Sequence, residues 1–214
     1  QVSAEAMLKL QSLCDANSNP SHPCIRTYSN VGGKADLVFF ILGEELGTVA
    51  QLHRDIEACF PGGVLVPVYT YLSVTELSEY MPTEEDTKRR IKGEFRLEPD
   101  TPEFEAKMED LSKMRADYER YRLYPEMPDW EVMCFYPMIK RREGADNWYS
   151  LDFESRKKLM SGHARVGRTY GERIKQLITG STGLDDWEWG VTLMAHKTDA
   201  IKEIVYEMRF DEVS

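Results

Sequence analysis

The sequence predicts an α+β fold of two tandem ferredoxin-like modules with antiparallel sheets. Three observations support this architecture. Helix-like and strand-like segments alternate through the first 80 residues, the order begins again near residue 131, and a charged stretch of different composition separates the two halves. A ferredoxin-like unit has the order βαββαβ, and each half follows that order with a terminal strand missing. We therefore expect both modules to have truncated terminal strands.

The first module, residues 1–80, has the order α, β, β, α, β. Ser3 is expected to cap the first helix, and glycines between residues 30 and 33 suit a hairpin loop, because glycine accepts a positive φ. Pro61-Gly62-Gly63 should end the second helix. The predicted elements are a helix over 3–14, strands over 25–29 and 37–42, a helix over 46–60 and a strand over 64–74.

Residues 81–121 differ from both halves. The stretch 83–94 is mostly charged, whereas 104–121 carries apolar residues at spacings of three and four, which predicts a helix. Charge runs usually mark exposed faces, so we interpret this segment as a solvated, partly helical insert.

The second module, residues 122–214, repeats the pattern as β, α, β, β, α, β. Thr198 is expected to cap its second helix, and its last strand lies near the end of the sequence. The predicted elements are a strand over 132–139, a helix over 153–162, strands over 173–180 and 189–195, a helix over 198–205 and a final strand over 206–210.

Composition excludes several classes of function. The chain has 214 residues and a net charge of −10, whereas a nucleic-acid surface needs clustered Lys and Arg. Its four cysteines show neither zinc-site spacing nor the density of a disulfide scaffold, which favours reduced thiols and a cytoplasmic location. No apolar run approaches the ~20 residues that a membrane span requires. An anionic ligand must therefore meet a local basic patch.

His163 is the strongest candidate metal ligand. It follows the helix predicted over 153–162 and is flanked by Gly162 and Gly167, so its ring could be presented beside a cavity. A neutral imidazole is a good ligand for haem iron. A histidine at a helix C-terminus also interacts with the helix dipole, and this alternative stays open. The other three histidines do not pair into a metal cluster.

The strand over 132–139 carries the second group of candidates. If its side chains alternate, Cys134, Tyr136, Met138 and Lys140 share one face, which suits an aromatic ligand with an anionic edge. Spacing alone favours an ordinary core tyrosine at 136 and a solvated basic strand end at 140–142. That basic triplet could instead hold carboxylates by charge-assisted hydrogen bonds.

Taken together, these residues resemble the coproheme decarboxylase branch of the chlorite dismutase-like superfamily. The resemblance is strong from about Arg122 onward, moderate over 34–80 and absent across the charged insert. The motifs that carry it are Arg122-Leu123-Tyr124-Pro125, Phe135-Tyr136-Pro137-Met138-x-Lys140-Arg141-Arg142, Asn147-Trp148-Tyr149, Leu159-Met160-x-x-His163, Ile174-Lys175-Gln176, Trp189-Gly190-Val191-Thr192-Leu193 and Tyr206-Glu207-Met208-Arg209-Phe210-Asp211-Glu212.

The resemblance implies an enzyme of haem biosynthesis. Such enzymes bind iron-coproporphyrin III (coproheme) as both cofactor and substrate. They use hydrogen peroxide to convert two propionates into vinyl groups, with release of carbon dioxide and haem b. By the same resemblance His163 is the proximal iron ligand, Tyr136 is the redox-active residue whose radical attacks a propionate, and Lys140 assists that chemistry.

The remaining assignments also rest on the resemblance. Gln176 matches the distal glutamine above the iron, and Glu212 is expected to orient His163. A homopentamer and a transient contact with coproporphyrin ferrochelatase are implied, with neither nucleic acid nor a membrane span. The residues that match propionate-contacting positions are Tyr80, Arg122, Met138, Arg209 and Ser214.

Two alternatives remain at this stage. A chlorite-decomposing or peroxidase-like haem enzyme would share the fold, and the chlorite-decomposing type carries an arginine where Gln176 stands. A haem carrier or sensor would keep His163 without catalysing a reaction, although Tyr136 and Lys140 argue against it. The family's first strand has no counterpart before Gln1, and the insert is longer than the family's mobile loop near the haem entrance.

Overall fold

The structure is a computed structural model that describes residues 3–19, 22–144 and 147–213. It contains two antiparallel sheets with helices, as the sequence predicts, and has the tandem ferredoxin-like fold. Each helix in the described residues is too short or too polar to span a bilayer. The elements are α1 (Ala4–Ala16), β1 (Cys24–Ser29), β2 (Leu37–Leu42), α2 (Leu46–Ala58), α3 (Glu84–Arg90), α4 (Pro102–Leu123), β3 (Val132–Met138), α5 (Phe153–Thr169), β4 (Ile174–Gly180), β5 (Trp189–Ala195) and α6 (Thr198–Met208).

The first module packs α1 and α2 on the β1–β2 hairpin. The Ser3 side chain caps α1 by accepting a hydrogen bond from the Ala6 N–H at 3.1 Å, and Gly33 adopts the positive φ expected in the hairpin loop. The i, i+4 spacing of the apolar residues gives each helix one face toward the sheet. The buried core consists of Ala6, Leu10, Ile25, Leu52, Ile56 and Phe60.

The strand predicted over 64–74 is wrong. All of these residues are described, and they form no ladder; only Val74 pairs, with Gly180, through two hydrogen bonds of 2.8 Å. Alternating valines favour a strand only where a neighbouring strand offers hydrogen-bond partners, and here Val66 and Val68 are exposed. Instead, the segment brings the Tyr71 ring into contact with the ring of Phe135 on β3.

In the second module, β3, β5 and β4 form an antiparallel sheet in that spatial order. Of a βαββαβ unit this is the first, third and second strand, which is the order a ferredoxin-like sheet requires. Helices α5 and α6 cover one face. Apolar residues of β4, β5 and α6 form the core beneath them, namely Ile174, Val191, Leu193, Ala195, Ala200, Ile201 and Ile204.

Three details of this module differ from the prediction. Helix α5 continues to Thr169, so His163 lies inside the helix rather than after it. Lys197 precedes α6 without a side-chain cap, so Thr198 is its first residue and not its cap. The final strand predicted over 206–210 is wrong, because α6 runs to Met208. Met208 follows Ile204 at helical spacing and packs on the core, so the helical period prevails.

The opposite faces of the two sheets meet each other. Cys24 and Leu42 of the first module pack with Met133, Leu177 and Met194 of the second. Arg26 is buried at this junction, and its guanidinium donates to the Ser18 and Met127 carbonyl oxygens at 3.0 and 2.8 Å. The other face of the second sheet, which carries Tyr136, is therefore covered by α5 and α6.

The insert folds into α3, a π-helical segment and α4. Thr83 and Asp86 form a capping box at the start of α3, and Lys157 of α5 bonds Asp86 at 2.8 Å. The solvated-insert interpretation is only partly correct, because the side chains of Ile91 and Phe104 are buried. Helix α4 ends at Leu123, two residues past the predicted end of the insert; the module boundaries remain predictions.

Replacement of Ile91 by alanine should destabilise the protein. The side chain is completely buried, so its loss removes apolar contacts and leaves a cavity. We expect the free energy of unfolding to fall by about 2–5 kcal/mol in denaturant titrations. Met114→Ala on the exposed side of α4 is the matched control and should change it by less than ~1 kcal/mol. Equal stability of the two variants would contradict the burial of this segment.

Candidate active site

Strand β3 presents Tyr136 toward α5 and α6. Cys134, Tyr136 and Met138 all pack on the core beneath these helices, whereas Phe135 faces the other way, with its ring centroid 5.0 Å from that of Tyr71. The predicted alternation is confirmed for these residues. Burial raises the pKa of Tyr136, so its hydroxyl keeps the proton at neutral pH.

Two glycines let the 71–76 segment lie close to the site strands. A Cβ at Gly190 would stand 2.6 Å from the Tyr71 ring, and one at Gly180 would clash with the Glu76 carboxylate. The sheet face opposite Tyr136 is thus covered closely where β3 and β4 end and β5 begins.

His163 is held by a carboxylate. Its Nδ1 lies 3.2 Å from Asp211 Oδ2, and the side chains are 30% and 12% exposed, respectively. Burial lowers the pKa of His163 and the Lys140 charge lowers it further, while Asp211 opposes both effects. The imidazole is therefore neutral at physiological pH. Asp211, rather than the expected Glu212, makes this contact, because the turn after α6 directs residue 211 toward α5.

Lys140 lies two residues past the end of β3 and next to the His163–Asp211 pair. Its Nζ donates to the Val213 carbonyl oxygen at 2.6 Å and lies 5.1 Å from the Trp148 ring centroid. Burial lowers the pKa of Lys140, and Asp211 partly offsets this effect. Lys140, Asp211 and His163 thus form one electrostatic cluster at the end of the strand that carries Tyr136.

Gln176 faces the helices from β4. Its Nε2 donates to the carbonyl oxygen of Gly167, on α5, at 2.9 Å. Gly167 lies four residues after His163, on the same side of α5. A Cβ at Gly167 would lie 3.4 Å from Gln176 Nε2, which is an ordinary van der Waals distance. The structure thus brings Gln176 to the helical turn next to His163.

The expected propionate-binding residues are more dispersed. Arg122 donates to the Glu76 and Ile178 carbonyl oxygens at 3.2 Å each, and its buried Nε has no partner within the described residues. The Tyr80 ring packs against that of Phe153, with the centroids 5.6 Å apart, and its hydroxyl accepts a hydrogen bond from Arg156 at 3.1 Å.

Three further candidates complete the set. Met138 is the last residue of β3 and pairs with Trp189. Arg209 is exposed at the end of α6. Ser214 lies outside the described residues.

Sequence reasoning missed two acidic residues of this region. Asp211 holds His163, and Glu188 accepts a hydrogen bond from the Lys140 N–H at 3.0 Å. The signal for Glu188 was a carboxylate between two tryptophans at the start of a buried strand, where an unpaired charge is costly. Asp211 had no such signal, because it is one of several acidic residues after α6.

The fold and this site define a class: tandem ferredoxin-like proteins with a carboxylate-held histidine on a helix facing a sheet. The chlorite dismutase family model matches residues 3–214. The chain therefore belongs to the chlorite dismutase-like family.

Solved structures agree with this assignment. A haem-binding protein from Thermus thermophilus is 35% identical, with a TM-score of 0.71 over 98% of this chain and 72% of its own. A chlorite dismutase variant from Candidatus Nitrospira defluvii is 16% identical, with a TM-score of 0.63 over 97% and 74%. A second variant of that enzyme is 19% identical, with a TM-score of 0.59 over the same shares. At these identities the last two support the fold alone.

Proposed function

We propose that this protein is a coproheme decarboxylase that uses hydrogen peroxide to make haem b. The observation that carries the proposal is the bond from Lys140 Nζ to the Val213 carbonyl oxygen, two residues after the carboxylate that holds His163. That bond joins the residue just past the Tyr136 strand to the segment after α6, which also carries the Asp211 that holds His163. A simple haem carrier needs the histidine but has no use for a half-buried lysine beside it.

The histidine suits an iron porphyrin. Asp211 engages Nδ1, and no described residue bonds Nε2, so the neutral ring has its Nε2 lone pair available for iron. A carboxylate on the other nitrogen fixes the ring orientation and makes it a stronger donor. His163 would therefore be the proximal ligand, and Gln176 the distal amide.

Each decarboxylation must balance a two-electron oxidation. A propionic acid side chain loses carbon dioxide and two hydrogen atoms to become a vinyl group, and those two hydrogens reduce hydrogen peroxide to two waters. The bound iron supplies the redox chemistry with peroxide. The Tyr136 phenol would supply one electron and its Oη proton, then regain a hydrogen atom from the propionate. The propionate radical left behind would give the second electron to the peroxide-derived oxidant as its C–COO⁻ bond breaks, releasing carbon dioxide and leaving the vinyl double bond. The Lys140 ammonium holds the reacting carboxylate by a charge-assisted hydrogen bond.

Substrate recognition follows from the same charges. Coproheme carries four propionates, and the partnerless buried Nε of Arg122 is a donor available to one of them. Tyr80, Met138, Arg209 and Ser214 are the further contacts that we propose. We also propose a homopentamer that works in the cytoplasm and contacts coproporphyrin ferrochelatase transiently.

A paired assay separates this function from its rivals. With coproheme and peroxide, chromatography of the extracted pigment should show conversion to haem b. With chlorite, an oxygen electrode should show no rapid oxygen release. Rapid release without haem b would favour a chlorite-decomposing enzyme, and tight binding with neither reaction would favour a carrier or sensor.

Arg122→Ala should narrow the preference for coproheme over haem b. A charge-assisted hydrogen bond to a propionate contributes on the order of 1.5–3 kcal/mol, so the coproheme Kd should rise roughly 10- to 150-fold in absorbance titrations. The Kd for haem b, which has fewer propionates, should rise less. Arg173→Ala is the control, because Arg173 pairs with Glu203 on the exposed surface. Equal affinities of the unaltered protein for both porphyrins would contradict propionate recognition.

A further inference from the structure

Glu188 is a buried carboxylate beside the point where β3 leaves the sheet. It directly precedes β5, and its side chain is 7% exposed. Its N–H donates to the Met138 carbonyl oxygen at 3.1 Å, just past the Met138–Trp189 pair that ends the ladder. The chain from Met138 to Lys140 therefore leaves the sheet next to this carboxylate.

Two donors converge on the carboxylate of Glu188. The Lys140 N–H bonds Oε2 at 3.0 Å, and the Arg142 guanidinium forms an ion pair with Oε1. Burial alone would raise the pKa of Glu188, but these bonds outweigh it and the pKa is lowered. Burial and the neighbouring Glu188 carboxylate raise the pKa of Tyr149 to about 12, so its hydroxyl stays protonated. Glu188 is thus ionised.

In this arrangement the Glu188 side chain fixes the backbone of Lys140. Lys140 lies beyond the β3–β5 pairing, so the Glu188 carboxylate takes the place of a ladder partner for its N–H. The Lys140 side chain then extends to the Val213 carbonyl oxygen, near Asp211. Its direction depends on where its backbone is held. The ion pair with Arg142 in turn holds the carboxylate.

We propose that Glu188 is a positioning residue that aims the Lys140 ammonium at the reacting propionate. The inference rests on the proposed function for its catalytic consequence, but the positioning itself concerns only this chain. Glu188 acts through Lys140 and does not touch the porphyrin. Its loss should therefore impair turnover much more than binding.

Amide hydrogen exchange tests the positioning without any porphyrin. In Glu188→Ala, exchange at the Lys140 amide should accelerate at least about tenfold, because its one acceptor is gone, while amides inside the β3–β5 ladder stay protected. Glu188→Gln keeps a neutral acceptor of the same shape and should restore much of the protection. Glu203→Ala, which breaks the exposed ion pair with Arg173, is the control and should leave Lys140 unchanged. Unchanged exchange in Glu188→Ala would overturn the proposal.

Steady-state kinetics test the catalytic consequence. For Glu188→Ala we expect kcat for decarboxylation to fall about tenfold or more with the coproheme Kd within about twofold of the unaltered protein, and partial recovery in Glu188→Gln. A parallel loss of binding, turnover and melting temperature, with Gln no better than Ala, would reduce Glu188 to a structural role and refute positioning. If the unaltered protein makes no haem b, the proposed function fails, and amide exchange alone decides the positioning.

Discussion

Tyr136→Phe should bind coproheme almost normally and yield neither the mono-decarboxylated intermediate nor haem b. Phenylalanine keeps the ring that packs on the core with Cys134 and Met138, but it has no O–H to give up. Loss of a positioned proton-transfer group typically costs 10²- to 10⁴-fold, and we expect a rate decrease of at least about that size. Absorbance titration measures the binding, and chromatography of the extracted porphyrin measures the products.

Tyr170→Phe is the matched control for this change. Tyr170 packs on the same core, and its hydroxyl donates to Glu207 at 2.6 Å on the outer surface. Its loss removes a hydroxyl of the same kind away from the proposed chemistry, so haem b formation should continue. Normal haem b production by Tyr136→Phe would refute the assigned mechanism, even if coproheme proved to be the substrate.

His163→Ala should abolish histidine ligation of the iron. Its Nε2 is the proposed ligand atom, and with the side chain removed the absorption spectrum of the bound porphyrin should lose the features of a histidine-ligated iron. Turnover should fall with it. Added imidazole should partly restore the spectrum, because the substitution leaves room for a free ring near Asp211.

Two other histidines are close controls, since each also has a carboxylate partner. His53 lies 3.8 Å from Glu57, and His196 lies 2.7 Å from Glu131, both on the exposed surface. His53→Ala and His196→Ala should therefore keep the spectrum of the unaltered protein. If either control loses ligation to the same extent, or if His163→Ala keeps it, the assignment of His163 is wrong.

The fold could be predicted where the apolar period was unambiguous. Helices α1 and α2 and strands β3 and β5 each carry a clear period and a cap, turn or buried run, and each prediction is confirmed within a few residues. The strands predicted over 64–74 and 206–210 were wrong for different reasons. Alternating valines at 64–74 have no neighbouring strand, whereas Met208 extends the buried face of α6. Both errors depend on tertiary partners, which local sequence does not specify.

The site could be predicted only in part. A period of two was enough to put Tyr136 and Met138 on one face, and four-residue helical spacing relates His163 to Gly167. The partners that set their chemistry come from distant sequence: Asp211 is 48 residues from His163, and Glu188 is 48 residues from Lys140. The turn after α6 determines which acidic residue reaches His163, and the turn before β5 determines which one reaches Lys140. For this reason the sequence predicted Glu212, next to Asp211, as the partner of His163.

Mass spectrometry of the porphyrin tests the central claim most directly. Purified protein is mixed with coproheme, and hydrogen peroxide is added in steps. The mass of the extracted porphyrin is measured after each addition. The account predicts two successive losses, each of one carbon dioxide and two hydrogens, ending at haem b. It predicts the same starting mass, unchanged, in Tyr136→Phe. A coproheme mass that stays intact in the unaltered protein, with histidine ligation established by its spectrum, would contradict the account.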